Sequence, residues 1–251
     1  MLFRSPDLNV EIYCPCDSGA IPLLPLGDYD GILITGSTLS VYDRRPAVLR
    51  QLEFAQSAFQ SGTPILGVCW GLQLAVVAAG GEVAASTSKS CKCEVPLARG
   101  ISLTEAGLRH PMHAQRPPVF DALAFHSDYI VRLPPGATVT ARNDHFIQAL
   151  QIESGQSVFW GVQYHPEATP QEIAGFMVSC AGALVDNSRF ADLEAVEVAA
   201  RDLCGTKARS SHHQVEQSNC GPVALEFAPL EIVNWLEQQV CPRATARREG
   251  A

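Results

Sequence analysis

The stretch Gly67-Val68-Cys69-Trp70-Gly71-Leu72-Gln73 constrains this chain more than any other. Residues 64–68 are an apolar run of strand length. Residues 72–79 form a second apolar run that stops at Gly80-Gly81 and reads as a helix. A cysteine therefore sits on a strand-to-helix turn with glycine two positions away on each side. Such a turn is too sharp for bulky neighbours, and it lifts the central side chain above the strand as an exposed nucleophile. The helix N-terminus supplies unpaired N–H groups and a positive dipole end, which favour thiolate over thiol. Taken alone, the stretch equally suits a buried core cysteine on an ordinary strand–turn–helix.

A second cluster bears on that choice. Residues 158–164 read as another buried strand, which runs directly into His165-Pro166-Glu167. A cysteine nucleophile needs a base to take its proton, and the base needs a third group to hold its tautomer. His165 and Glu167 suit those two roles. Pro166 restricts the backbone between them.

These residues resemble the class I glutamine amidotransferases, the Cys-His-Glu enzymes that release ammonia from the glutamine side chain, and in detail their free-standing, GMP-synthase-like members. The resemblance covers roughly residues 8–183 and four stations in order. Asp30-Gly31-Ile32-Leu33-Ile34-Thr35-Gly36-Ser37 is similar to the family's strand and oxyanion loop, and residues 67–73 to its elbow. His126-Ser127-Asp128 is similar to its substrate-side His-x-Asp, and residues 164–167 to its base segment. The resemblance implies a three-layer, flavodoxin-like α/β fold with a mostly parallel sheet and helices on both faces. It also implies a triad of Cys69, His165 and Glu167 and an oxyanion hole of the Gly36 and Trp70 backbone N–H groups. Gln73 and the Ser127-Asp128 region would hold the substrate, although Asp128 also suits a simple strand-end cap. No cofactor is implied.

The alternation of elements supports such a sheet. Residues 10–14 and 31–35 read as strands and 48–61 as an amphipathic helix. Residues 82–118 read as a hairpin or excursion at the pocket mouth. Residues 122–125, 138–142, 147–152 and 158–164 read as strands, the last two in hairpin order. Residues 170–185, 191–204 and 230–240 read as helices, and 205–222 as a loose polar loop. The expected organisation is an amidotransferase-like domain over 1–185, a helical extension over 186–241 and a disordered tail over 242–251. Family members usually open with a strand and helix before the segment matching 10–14. Residues 1–8 are too short for them, since a crossover needs about a dozen residues. The expectation is a start at an internal methionine, the alternative a protein that tolerates the loss.

Composition narrows the remaining classes. A net charge of −8 argues against a general nucleic-acid surface. No apolar run reaches membrane-span length, and the first residues lack a signal peptide's apolar core, so no membrane partner is expected. The 9 cysteines are an odd number in a chain too large to need disulfide staples, which fits a reducing cytoplasm. Cys14-Pro15-Cys16 and Cys91-Lys92-Cys93 have spacings too tight for a tetrahedral chelate, so no metal is expected there. His212-His213 reads as a solvated pair.

Three functional readings remain open. The first is a stand-alone hydrolase of glutamine or a γ-glutamyl-amine conjugate, such as γ-glutamylanilide or a γ-glutamyl polyamine, working through a γ-glutamyl thioester on Cys69. The second is an ammonia-donating subunit for a separate ATP-dependent synthetase, since no Gly-x-x-x-x-Gly-Lys-Ser/Thr loop occurs and residues after 185 are too few for a synthetase domain. The third is a silent regulatory module, which the intact triad residues argue against.

Overall fold

The computed structural model describes residues 8–17, 19–86, 93–205 and 229–249. Two strand–helix steps set up the site. β1 (Ile32–Ile34) leads through α1 (Pro46–Gln60) to β2 (Ile65–Val68), which turns into α2 (Trp70–Ala78). β1 pairs with β2, and β2 with β9 (Ser157–Val162), all in parallel. Beyond β9 the ladder is antiparallel, through β8 (Ile147–Ser154), β7 (Ala137–Arg142), β4 (Leu97–Leu103) and β5 (Val119–Leu123). β3 (Glu82–Ala85) and β6 (Asp128–Arg132) form a separate antiparallel ribbon. The α/β fold with helices on both faces stands as expected, and its parallel part is the β1–β2–β9 region that carries the elbow. Residues 82–118 are not a hairpin, because β3 pairs with β6 while β4 joins the main sheet.

Burial on both faces explains the unbroken apolar run of β2, whose four residues are all buried. Alternate residues feed opposite cores. Ile65, Phe159 and Ile152 pack with Val48, Ala55 and Phe59 of α1 and Leu72 and Val76 of α2. Leu66, Val68, Trp160 and Val162 pack on the other side with Trp235 and Val240. Trp235 ends α7 (Leu230–Trp235), and Val240 ends the π-helical turn Leu236–Val240 that follows it. A third core joins α4 (Pro170–Ser179), α5 (Ala181–Asp186) and α6 (Leu193–Gly205) through Ile173, Met177, Leu184, Val196 and Leu203. The helix expected over 170–185 is thus two helices, divided at Cys180.

Two expectations are corrected at the ends of the described chain. Residues 10–14 form no strand. Val10 and Ile12 are 73% and 93% exposed, and among the described residues no strand pairs with the segment, so it has no ladder to satisfy its backbone groups. Before β1 the described residues hold one 3₁₀ turn, Leu26–Asp28, and no strand. At the other end, Cys241–Glu249 is a helix, α8, in place of a disordered tail. Arg243 anchors it, donating to the carbonyls of Gly27, Tyr29 and Gly62 at 2.8, 3.2 and 2.9 Å. These carbonyls cap turns beneath β1 and β2, so the guanidinium ties the C-terminal helix to the start of both strands. Arg243→Ala is expected to destabilise the fold by about 2–3 kcal/mol, because half-buried carbonyls lose a charged donor. A chemical-denaturation midpoint equal to that of the parent would show that water replaces the guanidinium without cost. Residues 91–92, His212-His213 and most of the loop at 205–222 lie outside the described residues.

Candidate active site

Cys69 sits between β2 and α2 with φ +50° and ψ −103°, a backbone conformation that costs a non-glycine residue energy. Its N–H donates to the Val162 carbonyl at 2.8 Å, which fastens the elbow to β9. The flanking glycines are required by space. A Cβ on Gly67 would lie 2.6 Å from the Phe159 ring, and one on Gly71 would overlap the Ile34 carbonyl of β1. Gly71→Ala is therefore expected to lower stability by about 3 kcal/mol or more. The same change at Gly175 in α4, where nothing lies within 4 Å, should stabilise slightly through helix propensity. Equal melting shifts for the two variants would contradict this account of the elbow.

The end of β9 brings the second cluster to the first. The His165 N–H donates to the Leu123 carbonyl at 2.8 Å, and His165 Nδ1 lies 2.7 Å from Glu167 Oε1. The ring is largely buried and Glu167 is half-exposed. Burial by itself lowers the His165 pKa. Hydrogen bonds and negative charge from Cys69 and then Glu167 outweigh it and raise the value to about 10. The His165 ring thus lies between the Cys69 sulfur and a carboxylate, the order a nucleophile–base–orienter set requires. After Glu167 the chain enters α4 through a reciprocal cap, the Thr169 side chain accepting from the Glu172 N–H while Glu172 accepts from Thr169.

Gly36 closes the third side. A Cβ there would stand 3.3 Å from His165 Cε1 and 3.9 Å from Cys69 Cβ, so its backbone lines the space in front of the sulfur. Trp70 is the first residue of α2, whose leading N–H groups have no partner within the helix. Its indole N–H is occupied elsewhere, donating to Gln51 Oε1 at 3.1 Å. The elbow does not leave Cys69 exposed as its turn predicts: the residue is buried, its sulfur 3.9 Å from the Phe125 carbonyl, because β9 and the His165 segment close over the end of β2.

The expected substrate side is assembled in part. Gln73 is buried and donates to Gln163 Oε1 at 3.1 Å and more weakly to the Asp128 carbonyl at 3.4 Å. Asp128 begins β6, is 7% exposed and accepts from the Tyr42 hydroxyl at 3.1 Å. Ser127 is exposed, and its carbonyl accepts from the Ser86 N–H. Glu94 underlies this region. Its buried carboxylate is 2.9 Å from His126 Nε2 and accepts from Asn143 and Gln148 at 2.6 Å each. Burial raises its pKa, but these partners, His126 foremost, lower it overall. Tyr42 and Glu94 escape a reading of motifs. The available signal for Glu94 is an acid lodged in the apolar run Cys93-Glu94-Val95-Pro96-Leu97.

Away from this site, Cys14, Cys16 and Asp17 form the one group among the described residues whose side chains are close enough to share an ion. The two sulfurs are 2.7 Å apart on the exposed N-terminal segment. No helix among the described residues is long and apolar enough to cross a membrane.

The Glutamine amidotransferase class-I family model matches residues 4–179. A γ-glutamyl-L-1-hydroxyisopropylamide hydrolase from Pseudomonas sp is 51% identical over 245 residues, covering 96% of this chain and 82% of that protein. The glutamine-hydrolyzing GMP synthase of Azoarcus sp. (strain BH72) is 31% identical over 165 residues, 63% of this chain but 30% of that enzyme's length. Among solved structures, a glutamine amidotransferase from Thermotoga maritima superposes with a TM-score of 0.56 at 18% identity, over 74% of this chain and 78% of that one. One from Methylobacillus flagellatus gives 0.52 at 20% identity, over 78% and 84%. A sharp Cys69 elbow facing a His165–Glu167 pair at the end of a parallel strand, together with a family match over most of the chain, leads to one conclusion: this protein belongs to the class-I glutamine amidotransferases.

Proposed function

We propose that this chain hydrolyses a γ-glutamyl amide on its own, releasing glutamate and an amine larger than ammonia. The observation that carries the reading is the near full-length similarity to a γ-glutamyl-L-1-hydroxyisopropylamide hydrolase, which joins the amidotransferase site to a leaving group that is an amino alcohol. The arrangement of Cys69, His165, Glu167 and Gly36 supplies the chemistry.

The Cys69 sulfur attacks the γ-carbonyl carbon, and the carbonyl π electrons move onto oxygen. The backbone N–H groups of Gly36 and Trp70 receive that oxyanion, an interaction worth ~10²–10³ in rate per donor. His165, held by Glu167, gives its proton to the departing nitrogen as the C–N bond breaks, leaving a γ-glutamyl thioester. Water then attacks the thioester with His165 as base, releasing glutamate and restoring the thiolate–imidazolium pair. The buried carboxylate of Asp128, steadied by Tyr42, suits the substrate's α-ammonium group, and Gln73 fixes the floor of the pocket.

Similarity to GMP synthases supports a second reading, an ammonia donor to a separate synthetase. Release of glutamate from γ-glutamyl-hydroxyisopropylamide, γ-glutamylanilide and glutamine by the purified protein separates the two. Multiple turnovers on the conjugates without a partner are expected. Conversion of glutamine alone, and then only beside an ATP-dependent enzyme, would favour the donor.

A further inference from the structure

Glu231 lies in the first turn of α7, on the sheet face opposite α1 and α2, and its side chain is fully buried. Arg116 grips it with two hydrogen bonds, from Nε at 2.9 Å and from Nη2 at 2.6 Å. The Tyr164 hydroxyl donates to Glu231 Oε1 at 2.7 Å, and His113 Nδ1 stands 3.8 Å away. The Arg116 guanidinium lies 4.8 Å over the Phe120 ring, which meets Tyr164 edge-on at 5.6 Å, so the four side chains close a loop. Charge on Glu231 is favoured despite burial, through His113 and Arg116. Burial and the neighbouring carboxylate keep Tyr164 protonated as a donor.

The charged pair stands out in a core built chiefly of Trp160, Val162, Trp235 and Val240, where the other buried polar groups nearby, His113 and Asn234, are hydrogen-bonded to Thr140 and to the Met112 and Ala114 carbonyls. A buried ion pair seldom adds net stability over apolar side chains of the same volume, so its presence calls for another use. Tyr164 supplies it, as the residue immediately before His165. The turn that carries His165 and Glu167 is held at its start by two ties, the His165 N–H to the Leu123 carbonyl and the Tyr164 hydroxyl to Glu231. We propose that Glu231 is a positioning residue of the active site, which through Tyr164 sets the place of the His165–Glu167 turn relative to Cys69. The proposal rests on the reading of Cys69, His165 and Glu167 as the reacting groups. Glu231 touches none of them. Its effect is on geometry, and a misplacement of about 1 Å costs on the order of 10²-fold in rate.

The test compares the parent protein with Tyr164→Phe and with the apolar triple variant Arg116→Met/Tyr164→Phe/Glu231→Leu. Diazo-oxo-norleucine, a glutamine-mimicking electrophile, counts competent sites, so that kcat on γ-glutamylanilide is expressed per labelled Cys69. Tyr164→Phe is expected to lower kcat about tenfold with KM within twofold. The triple variant should melt cooperatively near the parent temperature yet show at least the same loss of kcat. Parent-like kcat per site in Tyr164→Phe overturns the proposal whether or not the triple variant folds. Parent-like kcat per site in a folded triple variant does so equally, leaving the cluster a merely structural role. Failure of the parent to label at Cys69 would instead overturn the reading of the site, so the two failures are distinct.

Discussion

Cys69→Ala is expected to reduce turnover of γ-glutamyl amides by at least ~10⁴-fold while leaving KM within a few-fold, because in the proposed mechanism the sulfur contributes bond-making and little affinity. Among the described cysteines, Cys93 is buried in the core of α4–α6, Cys14, Cys204 and Cys241 are exposed, and Cys16 and Cys180 are half-buried. A glutamine-mimicking electrophile should accordingly modify Cys69 and spare the rest, for two physical reasons. The elbow presents the sulfur at the N-terminus of α2, and His165 faces it as an imidazolium. Peptide mapping that finds the label on Cys14 or Cys180 with Cys69 untouched, or an alanine variant that still turns over, would end the assignment. Cys69→Ser would be a useful companion. It keeps the shape of the side chain in a slightly smaller form but presents a hydroxyl that His165 ionises far less readily, so it should be nearly as inactive.

The elbow was legible because its constraints are local. Cys69 needs small residues two positions either side, and Gly67 and Gly71 meet Phe159 and the Ile34 carbonyl in the structure. His165-Pro166-Glu167 was legible for the same reason, as the two side chains that meet at 2.7 Å lie two residues apart in the chain. Long-range partners were not. Residues 10–14 carry apolar side chains of strand type, but strand formation depends on a neighbour, and none adjoins them among the described residues. β6 is hidden in the sequence because Asp128 opens a short strand whose partner, β3, lies far away in the chain and supplies no local signal. The C-terminal helix looked like a polar tail because Arg243 reads as a solvated charge until Gly27, Tyr29 and Gly62 converge on it. Glu231 belongs to no motif and is legible only as a lone acid inside the apolar helix stretch Leu230-Glu231-Ile232-Val233-Asn234-Trp235, since its partners Arg116 and Tyr164 are distant in the chain.

Glu167→Gln should separate the electrostatic part of the site from its shape. In the parent protein the His165 pKa is raised to about 10, against an ordinary 6.5. In the mechanism proposed above the imidazolium protonates the leaving amine, so activity should hold through neutral pH and fall on the alkaline side with an apparent midpoint near 10. Stability follows the same sign. A histidine whose folded value lies above its unfolded one stabilises fully below about 6.5 and loses that contribution as pH rises through about 10. Glutamine in place of Glu167 retains an oxygen that can accept from Nδ1 but removes the negative charge, leaving burial opposed by Cys69 alone. The alkaline limb should therefore move to lower pH, and kcat should fall by ~10²–10⁴-fold, since the amide can also present its NH₂ group and favour the wrong tautomer. KM should change little, because Glu167 approaches His165 and does not need to meet the substrate. An alkaline limb that stays near 10 in the variant would show that Cys69 alone holds the proton on His165. A parent profile already falling between pH 7 and 8 would show that the imidazolium–thiolate pair is not the resting state, and His165 would then act as a neutral base.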